Sequence, residues 1–243
     1  TYQALLQGFG ATERLVRLNQ SQPLAGAEQI GLSPKEILDY RTQSKKLDAV
    51  VEYHSMTFTL LGREEPLRVQ TGVVSANFFD VFGVTPVLGR RFLPCEDAKD
   101  SEALLILSHG FWQKAFQGDS NVVGQHVEMN DRIHTIIGVL PAIPQYPDEN
   151  DVYMPTSHCP FRSRDRVINE RRARMLDGFG RLAPGSTLEE AQAELTGIGT
   201  QLQAQYPEAY PKEEGFAVEL IPLQEELVRA FRHTLWVLLA TSV

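Results

Sequence analysis

Apolar and charged residues alternate along the first part of the chain in an order that predicts strand, helix and strand. The run ERLVRLN at 13–19 alternates well enough for a β-strand. The sequence SPKE at 33–36 is a capping box with proline at the first helical position, so a helix is predicted to begin there and to end near Ser44. The β-rich run DAVVEYHS at 48–55 predicts a second strand.

Shorter patterns in the middle of the chain predict two hairpins and a short helix. MTFTLLG and LRVQTGVVS flank a polar turn at 62–66 and predict the first hairpin. The wholly apolar run at 103–107 predicts a strand, and Ser108 can cap a short helix, HGFWQKAFQ, that follows it. HVEMN and RIHTIIGVLP meet around Asn130 and Asp131, which predicts a second, tight hairpin.

The last third of the chain repeats the order of strand, helix and strand. Ser186 and Glu189 form a second capping box, and Pro207 stops the helix that follows. Apolar residues recur in that helix at spacings of 3, 4, 3 and 4: Leu188, Ala191, Leu195, Ile198 and Leu202. With 56–166 set aside, the remaining elements form a split βαβ pattern, in which two helices cover one face of a four-stranded sheet. The predicted fold class is α+β, with an inserted, mainly β, middle.

The stretch FFDVFGVTPVLGRRF at 78–92 combines aromatic residues, two glycines and an Arg-Arg pair. Its glycines match neither the G-x-G-x-x-G spacing of a dinucleotide loop nor the G-x-x-x-x-G-K-[ST] spacing of a nucleoside-triphosphate loop. The stretch is therefore interpreted as a structural joint, in which the aromatics anchor a helical turn that Gly83 ends and Gly89 turns the chain again. The alternative is an anion grip by Arg90 and Arg91.

The net charge of the chain limits which classes of partner it can bind. The 243 residues carry 23 Lys and Arg against 31 Asp and Glu, a net charge of −8, which argues against a general nucleic-acid binder. Six arginines nevertheless gather in 162–174. That segment is interpreted as a solvated linker at a domain boundary, with contact to lipid phosphate or to an acidic partner as the alternative.

Candidate chemistry is sparse. No H-E-x-x-H, G-x-S-x-G, kinase or phosphate-loop motif occurs, so no catalytic, cofactor-binding or metal-binding residue is predicted. The histidines considered as metal ligands lack ligand spacing: His54, His109, His126, His134 and His158. Cys95 and Cys159 are too few for a disulfide scaffold; one disulfide and two free thiols both stay open, and free thiols are favoured.

Both ends of the chain predict a piece of something longer. Thr1 has no initiator methionine, charged leader or apolar signal core before or after it. LWVLLATSV, from Leu235 to the end, is shorter than the roughly 20 apolar residues of a membrane span, and it predicts the beginning of one. A C-terminal amphipathic or core helix is the alternative interpretation.

The ordered set ERLVRL, YRTQSKKLDAVVEY, VSANFFDVFGVTPVLGRRF, LSHGFWQKAFQGD, VGQHVEMNDRIHTIIGVLP, DVYMP and RLAPGSTLEEAQAEL resembles the MacB-like periplasmic core domain of ABC-transporter permeases, the FtsX-like or MacB-type family. The resemblance covers about residues 13–232. One departure is Gln117, which stands where a glycine is expected in a Phe-Gly-Gly-Asp turn.

The resemblance implies a discontinuous domain organisation. Residues 1–72 and 167–232 would form a porter-like α/β subdomain, 73–166 an inserted smaller α+β subdomain, and 233–243 the start of a truncated transmembrane helix. In these permeases the domain lies between the first and second transmembrane helices, on the periplasmic side of the cell inner membrane.

The resemblance also implies a function and partners. The domain would be non-catalytic, without cofactors, and would couple cytoplasmic ATP hydrolysis to export or to the regulation of envelope partners. Its implied partners are a cytoplasmic ATPase, fused or separate, reached through the missing transmembrane region, a second permease copy, and a periplasmic adaptor or envelope protein, with no nucleic acid. The alternative is an independent secreted ligand-binding protein or enzyme whose site has no recognised motif.

Overall fold

The computed structural model describes residues 12–61 and 66–228, which fall into two compact units. The first unit takes the chain up to Val50 and again from Glu170, and the second is Val51–Asn169. Most of the predicted turn at 62–66, and the whole predicted membrane entry at 233–243, lie outside the described residues. No helix in the described ranges is long and apolar enough to cross a membrane.

The strands, in chain order, are β1 (Leu15–Ser21), β2 (Leu47–Leu61), β3 (Leu67–Val74), β4 (Leu88–Gly89), β5 (Leu104–Leu107), β6 (His126–Met129), β7 (Arg132–Val139), β8 (Val152–Pro155), β9 (Asp177–Leu182) and β10 (Ala217–Pro222). The helices are α1 (Pro34–Gln43), α2 (Phe78–Val81), α3 (His109–Phe116), α4 (Asp165–Asn169) and α5 (Leu188–Gln205).

In the first unit, two helices cover one antiparallel sheet. β1 pairs antiparallel with β10 on one side and with β9 on the other. Ile37 and Tyr40 of α1, Leu195 of α5, and Leu18 and Leu220 of the sheet belong to one buried cluster. This shared core confirms the predicted packing of the two helices on the same sheet, and the mixture of sheet and helices confirms the α+β class.

The capping box predicted at the start of α1 is present, and the one predicted at the start of α5 is shifted by one residue. At α1, the Ser33 hydroxyl accepts from the Glu36 amide and the Glu36 carboxylate accepts from the Ser33 amide, as predicted. At α5 the capping box is formed by Thr187 and Glu190, one residue later than predicted. The reason is that the Ser186 amide donates to the Ala183 carbonyl and so belongs to the preceding turn.

In the second unit, β2, β3, β8, β5, β7 and β6 form a closed ring of strands. β2 pairs with β3, β3 with β8, β8 with β5, β5 with β7 and β7 with β6. The two-residue pairing of Leu60 and Leu61 with Met129 and Glu128 closes the ring. Closure pairs the edge strands with each other and encloses a separate apolar core.

Along the chain, one compact unit gives way to the other at 50/51 and at 169/170. The subdomain boundaries expected from the resemblance are 72/73 and 166/167. The strand β2 supplies residues 47–50 to the first unit and 51–61 to the second. The hairpin of β2 and β3 lies within the ring, because β3 pairs with β8 and the end of β2 pairs with β6. Hydrogen bonding therefore ties this hairpin to the inserted part of the chain.

Two turn predictions are confirmed in detail. Asn130 and Asp131 have φ angles of 46° and 63°, as a type I′ hairpin requires, and His126 faces Thr135 across the strands. In the joint at 78–92, α2 is followed by Gly83 at φ 70° and by Gly89 at φ 69°. A Cβ on Gly89 would lie 2.0 Å from the Ile137 carbonyl oxygen, so close backbone approach adds to the need for glycine.

Candidate functional site

Three arginines of the segment 162–174 reach carboxylates of their own unit, so the prediction of a solvated linker was wrong for them. Arg162 donates from Nε and Nη2 to both oxygens of Glu52 at 3.0 Å. Arg171 and Arg174 form ion pairs with Asp39 and Glu36, at 2.6 Å and 3.1 Å. The two glutamates are 2% and 0% exposed, respectively, so these are buried charges with partners.

The Glu36 carboxylate in the first unit is satisfied from several directions. Arg174 and the Tyr210 hydroxyl donate to Oε1, and the Ser33 amide donates to Oε2 at 2.7 Å. Burial and the Glu36 charge raise the pKa of Tyr210, which keeps its hydroxyl a donor. Arg174 also donates to the Ala209 carbonyl. The cluster therefore ties three sequence-distant segments together around one charge.

Arg171 lies beside this cluster and combines an ion pair with an aromatic contact. Its guanidinium centre is 3.8 Å from the centroid of the Tyr206 ring, within the range of a cation–π contact. Burial lowers the pKa of Arg171, but the hydrogen bond to Asp39, the contact with Tyr206 and the charge of Asp39 together outweigh burial and leave the pKa raised. The arginine is therefore fixed in the first unit directly after the point where the chain returns from the second.

The Arg-Arg pair that was considered as an anion grip is committed within the chain. Arg90 forms a fork with both oxygens of Glu96, at 2.8 Å and 2.6 Å. Arg91 donates to Asp80 at 2.8 Å and to the Val84 carbonyl at 2.7 Å. These contacts favour the structural joint, because Arg91 holds two groups of the same stretch and Arg90 holds Glu96, four residues beyond its end.

His134 and His158 both lie beside Arg132. His126 is exposed, while the Nδ1 atom of His158 lies 2.9 Å from the guanidinium of Arg132. His134 is buried on β7, where burial lowers its pKa to about 4. Over residues 12–61 and 66–228, no three side chains of His, Cys, Asp or Glu gather as a metal-ligand set.

Both cysteines are free thiols, which confirms the interpretation that was favoured. Cys95 is exposed and Cys159 is buried. The Sγ atom of Cys159 lies 3.6 Å from Nε2 of His54 and 3.5 Å from Sδ of Met56. Sequence reasoning missed Met56; its only local signal is that His54 and Met56, two apart on a strand, share one face. Nothing in the sequence links that face to a cysteine 103 residues later.

A groove on the second unit is lined by apolar and polar residues of β2, α3, β6 and β7. Its volume is about 510 Å³, and its walls include Leu60, Phe116, Val127 and Ile133. Ile133 is 66% exposed, high for a large aliphatic side chain. Gln125, His126 and Glu128 also line the groove, so its surface is mixed rather than apolar and indicates no particular ligand.

Comparison of the chain with models of known protein families identifies its family. The model of the MacB-like periplasmic core domain matches residues 1–198. The chain belongs to that family. This confirms the resemblance seen in the sequence and makes the chain a periplasmic domain of a MacB-like or FtsX-like ABC-transporter permease. No curated protein matches the chain.

Solved structures share the fold of this MacB-like domain. A domain of a protein described as a permease from Porphyromonas gingivalis has a TM-score of 0.65 at 17% identity, over 88% of this chain and 92% of that one. The periplasmic region of MacB from Actinobacillus actinomycetemcomitans has a TM-score of 0.63 at 15% identity, over 93% and 95%. The extracellular domain of the noncanonic ABC-type transporter YknZ from Gram-positive bacteria has a TM-score of 0.57 at 14% identity, over 84% and 98%.

Proposed function

We propose that this domain is a non-catalytic part of an inner-membrane permease and couples ATP hydrolysis by a cytoplasmic ATPase to export or to the regulation of an envelope partner. The observation that carries the proposal is the family match over residues 1–198. ATP chemistry then belongs to the partner, because the 243 residues contain no phosphate-binding loop. A second permease copy and a periplasmic adaptor are further proposed partners.

The buried ion pairs support a mechanical role. The chain passes between the units at Val50–Val51 and at Asn169–Glu170. Arg162 anchors the segment before the second passage to the strand β2, and Arg171 and Arg174 anchor the segment after it to the helix α1. Removing one partner of a buried pair costs about 3–5 kcal/mol. Each passage thus ends in a firmly held element, as force transmission along the chain requires.

A transport assay on the complete permease with its ATPase, in membranes, tests the proposal. Arg162→Met weakens one anchor, and Arg164→Met, an exposed arginine two residues away, is the matched control. We expect Arg162→Met to lower transport or signalling at least several-fold while basal ATP hydrolysis stays within about two-fold, and Arg164→Met to change neither. Unaltered transport after deletion of the whole domain would contradict the proposal, as would turnover of a substrate by the isolated chain.

We also propose that the discontinuous outer part and the inserted part are separate structural subdomains. Limited proteolysis followed by mass spectrometry locates the division. Cleavage near 72 and 167 supports the boundaries expected from the resemblance, and cleavage near 50 and 170 supports those of the two compact units. A single cut anywhere else would count against both.

A further inference from the structure

Inside the second unit, two side chains with soft or borderline donor atoms approach the sulfur of a third, Cys159. Cys159 follows β8, and its Sγ atom lies 3.6 Å from Nε2 of His54 and 3.5 Å from Sδ of Met56. His54 and Met56 are two apart on β2 and face the same side. The thiol and the imidazole are buried and the thioether is half-buried. Two strands and a turn thus bring a thiol, an imidazole and a thioether together.

These separations match ligands that share one metal ion. Bonds of about 2.3 Å to sulfur and about 2.0 Å to imidazole nitrogen, at tetrahedral to trigonal angles, place a sulfur and a nitrogen ligand roughly 3.5–3.7 Å apart and two sulfur ligands roughly 3.8–4.0 Å apart. The Sγ–Nε2 distance of 3.6 Å lies within the first range, and the Sγ–Sδ distance of 3.5 Å lies just below the second. Seating an ion between these groups therefore requires the Met56 thioether to move outward by a fraction of an ångström, which its unbranched, half-buried side chain allows.

We propose that His54, Met56 and Cys159 form a site for a soft monovalent metal ion, Cu(I). Thiolate and thioether are soft ligands, which suit Cu(I) and Zn(II) better than hard cations, and the thioether and the low coordination number favour Cu(I). On binding, the Cys159 S–H bond breaks, the proton leaves to solvent and an S–Cu bond forms; the ion keeps its oxidation state. The site goes beyond the proposed coupling function and does not depend on it.

Charge favours a monovalent over a divalent ion. One thiolate neutralises one positive charge, so a Cu(I)–thiolate unit adds no net charge to the interior. Arg162, whose amide donates to Sγ at 3.4 Å, already brings a guanidinium into this region, and Glu52 neutralises it. A divalent ion would leave a buried net positive charge next to that guanidinium, which is costly. Burial raises the pKa of the Cys159 thiol, and the amide hydrogen bond to Sγ only partly offsets this, so the thiol keeps its proton until the ion displaces it.

A competition experiment with the 243-residue chain tests the site. All variants carry Cys95→Ser, which removes the exposed thiol, and the chain competes with a chromophoric Cu(I) chelator under anaerobic, reducing conditions. We expect one Cu(I) per chain and a rise in the thermal midpoint of about 5 °C or more when free Cu(I) exceeds Kd about 100-fold. No competition with the chelator, or tighter binding of Zn(II) than of Cu(I), would overturn the proposal.

Three substitutions assign the ligands. Cys159→Ser should weaken Cu(I) binding at least 100-fold and Met56→Leu about ten-fold, whereas Met175→Leu, a methionine of the first unit, should leave it unchanged. Met56→Leu nearly conserves volume, so it decides the matter even where Cys159→Ser fails to fold. X-ray absorption should show two sulfur neighbours in the parent chain and one in Met56→Leu. Equal binding and equal sulfur counts in parent and Met56→Leu would show that the ion lies elsewhere.

Discussion

In the first unit the carboxylate of Glu36 is fully buried and receives hydrogen bonds from Arg174, Tyr210 and the Ser33 amide. In the second unit His54 and His134 are equally inaccessible, yet each keeps one ring nitrogen without a hydrogen-bond partner among the described residues. A buried charge with all its partners fastens elements together. Buried neutral groups with unused atoms are costly to keep, so they are where a ligand or a pH response is to be sought.

The largest effect should come from leaving the Glu36 charge without its ion-pair partner. Arg174→Met removes the guanidinium and leaves a buried carboxylate, which should lower the free energy of unfolding by about 3–5 kcal/mol. Urea denaturation of the 243-residue chain measures this. Arg172→Met is the matched control, because its pair with Glu214 is long, at 3.8 Å, and Arg172 is exposed. A loss under 1 kcal/mol in Arg174→Met would mean that the cluster is solvated.

Acidification should act mainly on the second unit. Burial holds the pKa of His54 and of His134 at about 4 in the folded chain, whereas an unfolded histidine titrates near 6.5. Between these values only the unfolded chain takes up the proton, so stability is full above about pH 6.5 and falls as the pH drops towards 4. The loss is at most about 3 kcal/mol for each histidine.

The substitution His134→Asn isolates one of these contributions. The asparagine amide can still donate to the Arg132 carbonyl, which Nδ1 of His134 contacts at 2.9 Å, but it does not titrate. The free energy of unfolding of this variant should depend less steeply on pH between 4 and 6.5, whereas the exposed His126→Asn should keep the parent slope. Parallel curves for the parent and His134→Asn would contradict the assignment of the pH response to His134.

A substitution in the joint at 78–92 should give the next largest change in the free energy of unfolding. Gly89→Ala would place a Cβ 2.0 Å from the Ile137 carbonyl oxygen at a φ of 69°, so a loss of about 2 kcal/mol or more is expected from the clash and the strained backbone. Gly110 on α3 has open space around its Cβ position, and Gly110→Ala should instead stabilise the chain by about 0.5–1 kcal/mol. Equal thermal midpoints for the two variants would remove the steric argument.

Local sequence patterns predicted the elements of the fold well, but they did not predict the partners of the buried polar groups. The capping box at Ser33 and the hairpin at Asn130 and Asp131 depend on residues within four positions, so the sequence determines them directly. The second capping box was predicted one residue early because Ser-Thr-Leu-Glu-Glu satisfies the pattern in two frames, and only the turn that uses the Ser186 amide decides between them.

The arginine segment and the sulfur cluster were beyond sequence reasoning for one shared reason. Arg162 meets Glu52 across 110 positions and Arg174 meets Glu36 across 138, so a run of charge looked solvated until the fold supplied the partners. Cys159 similarly meets His54 across 105 positions. Such pairings follow from tertiary packing, which no spacing within the sequence encodes.

The smallest effect concerns Gln117, where the sequence departs from the glycine expected in the family turn. Gln117 ends α3 with φ 53° and ψ 27°, a left-handed conformation that costs a residue with a Cβ roughly 1 kcal/mol. Gln117→Gly should therefore raise the free energy of unfolding by about 0.5–1 kcal/mol, and the thermal midpoint by about 2–4 °C, once the greater entropy of glycine in the unfolded chain is subtracted. Gln113→Gly, four residues earlier in the body of α3, should lower stability by a similar amount, because glycine is unfavourable inside a helix. A Gln117→Gly variant no more stable than the parent would show that a contact of the glutamine side chain offsets the backbone strain, and the left-handed cap would then no longer explain the family's glycine.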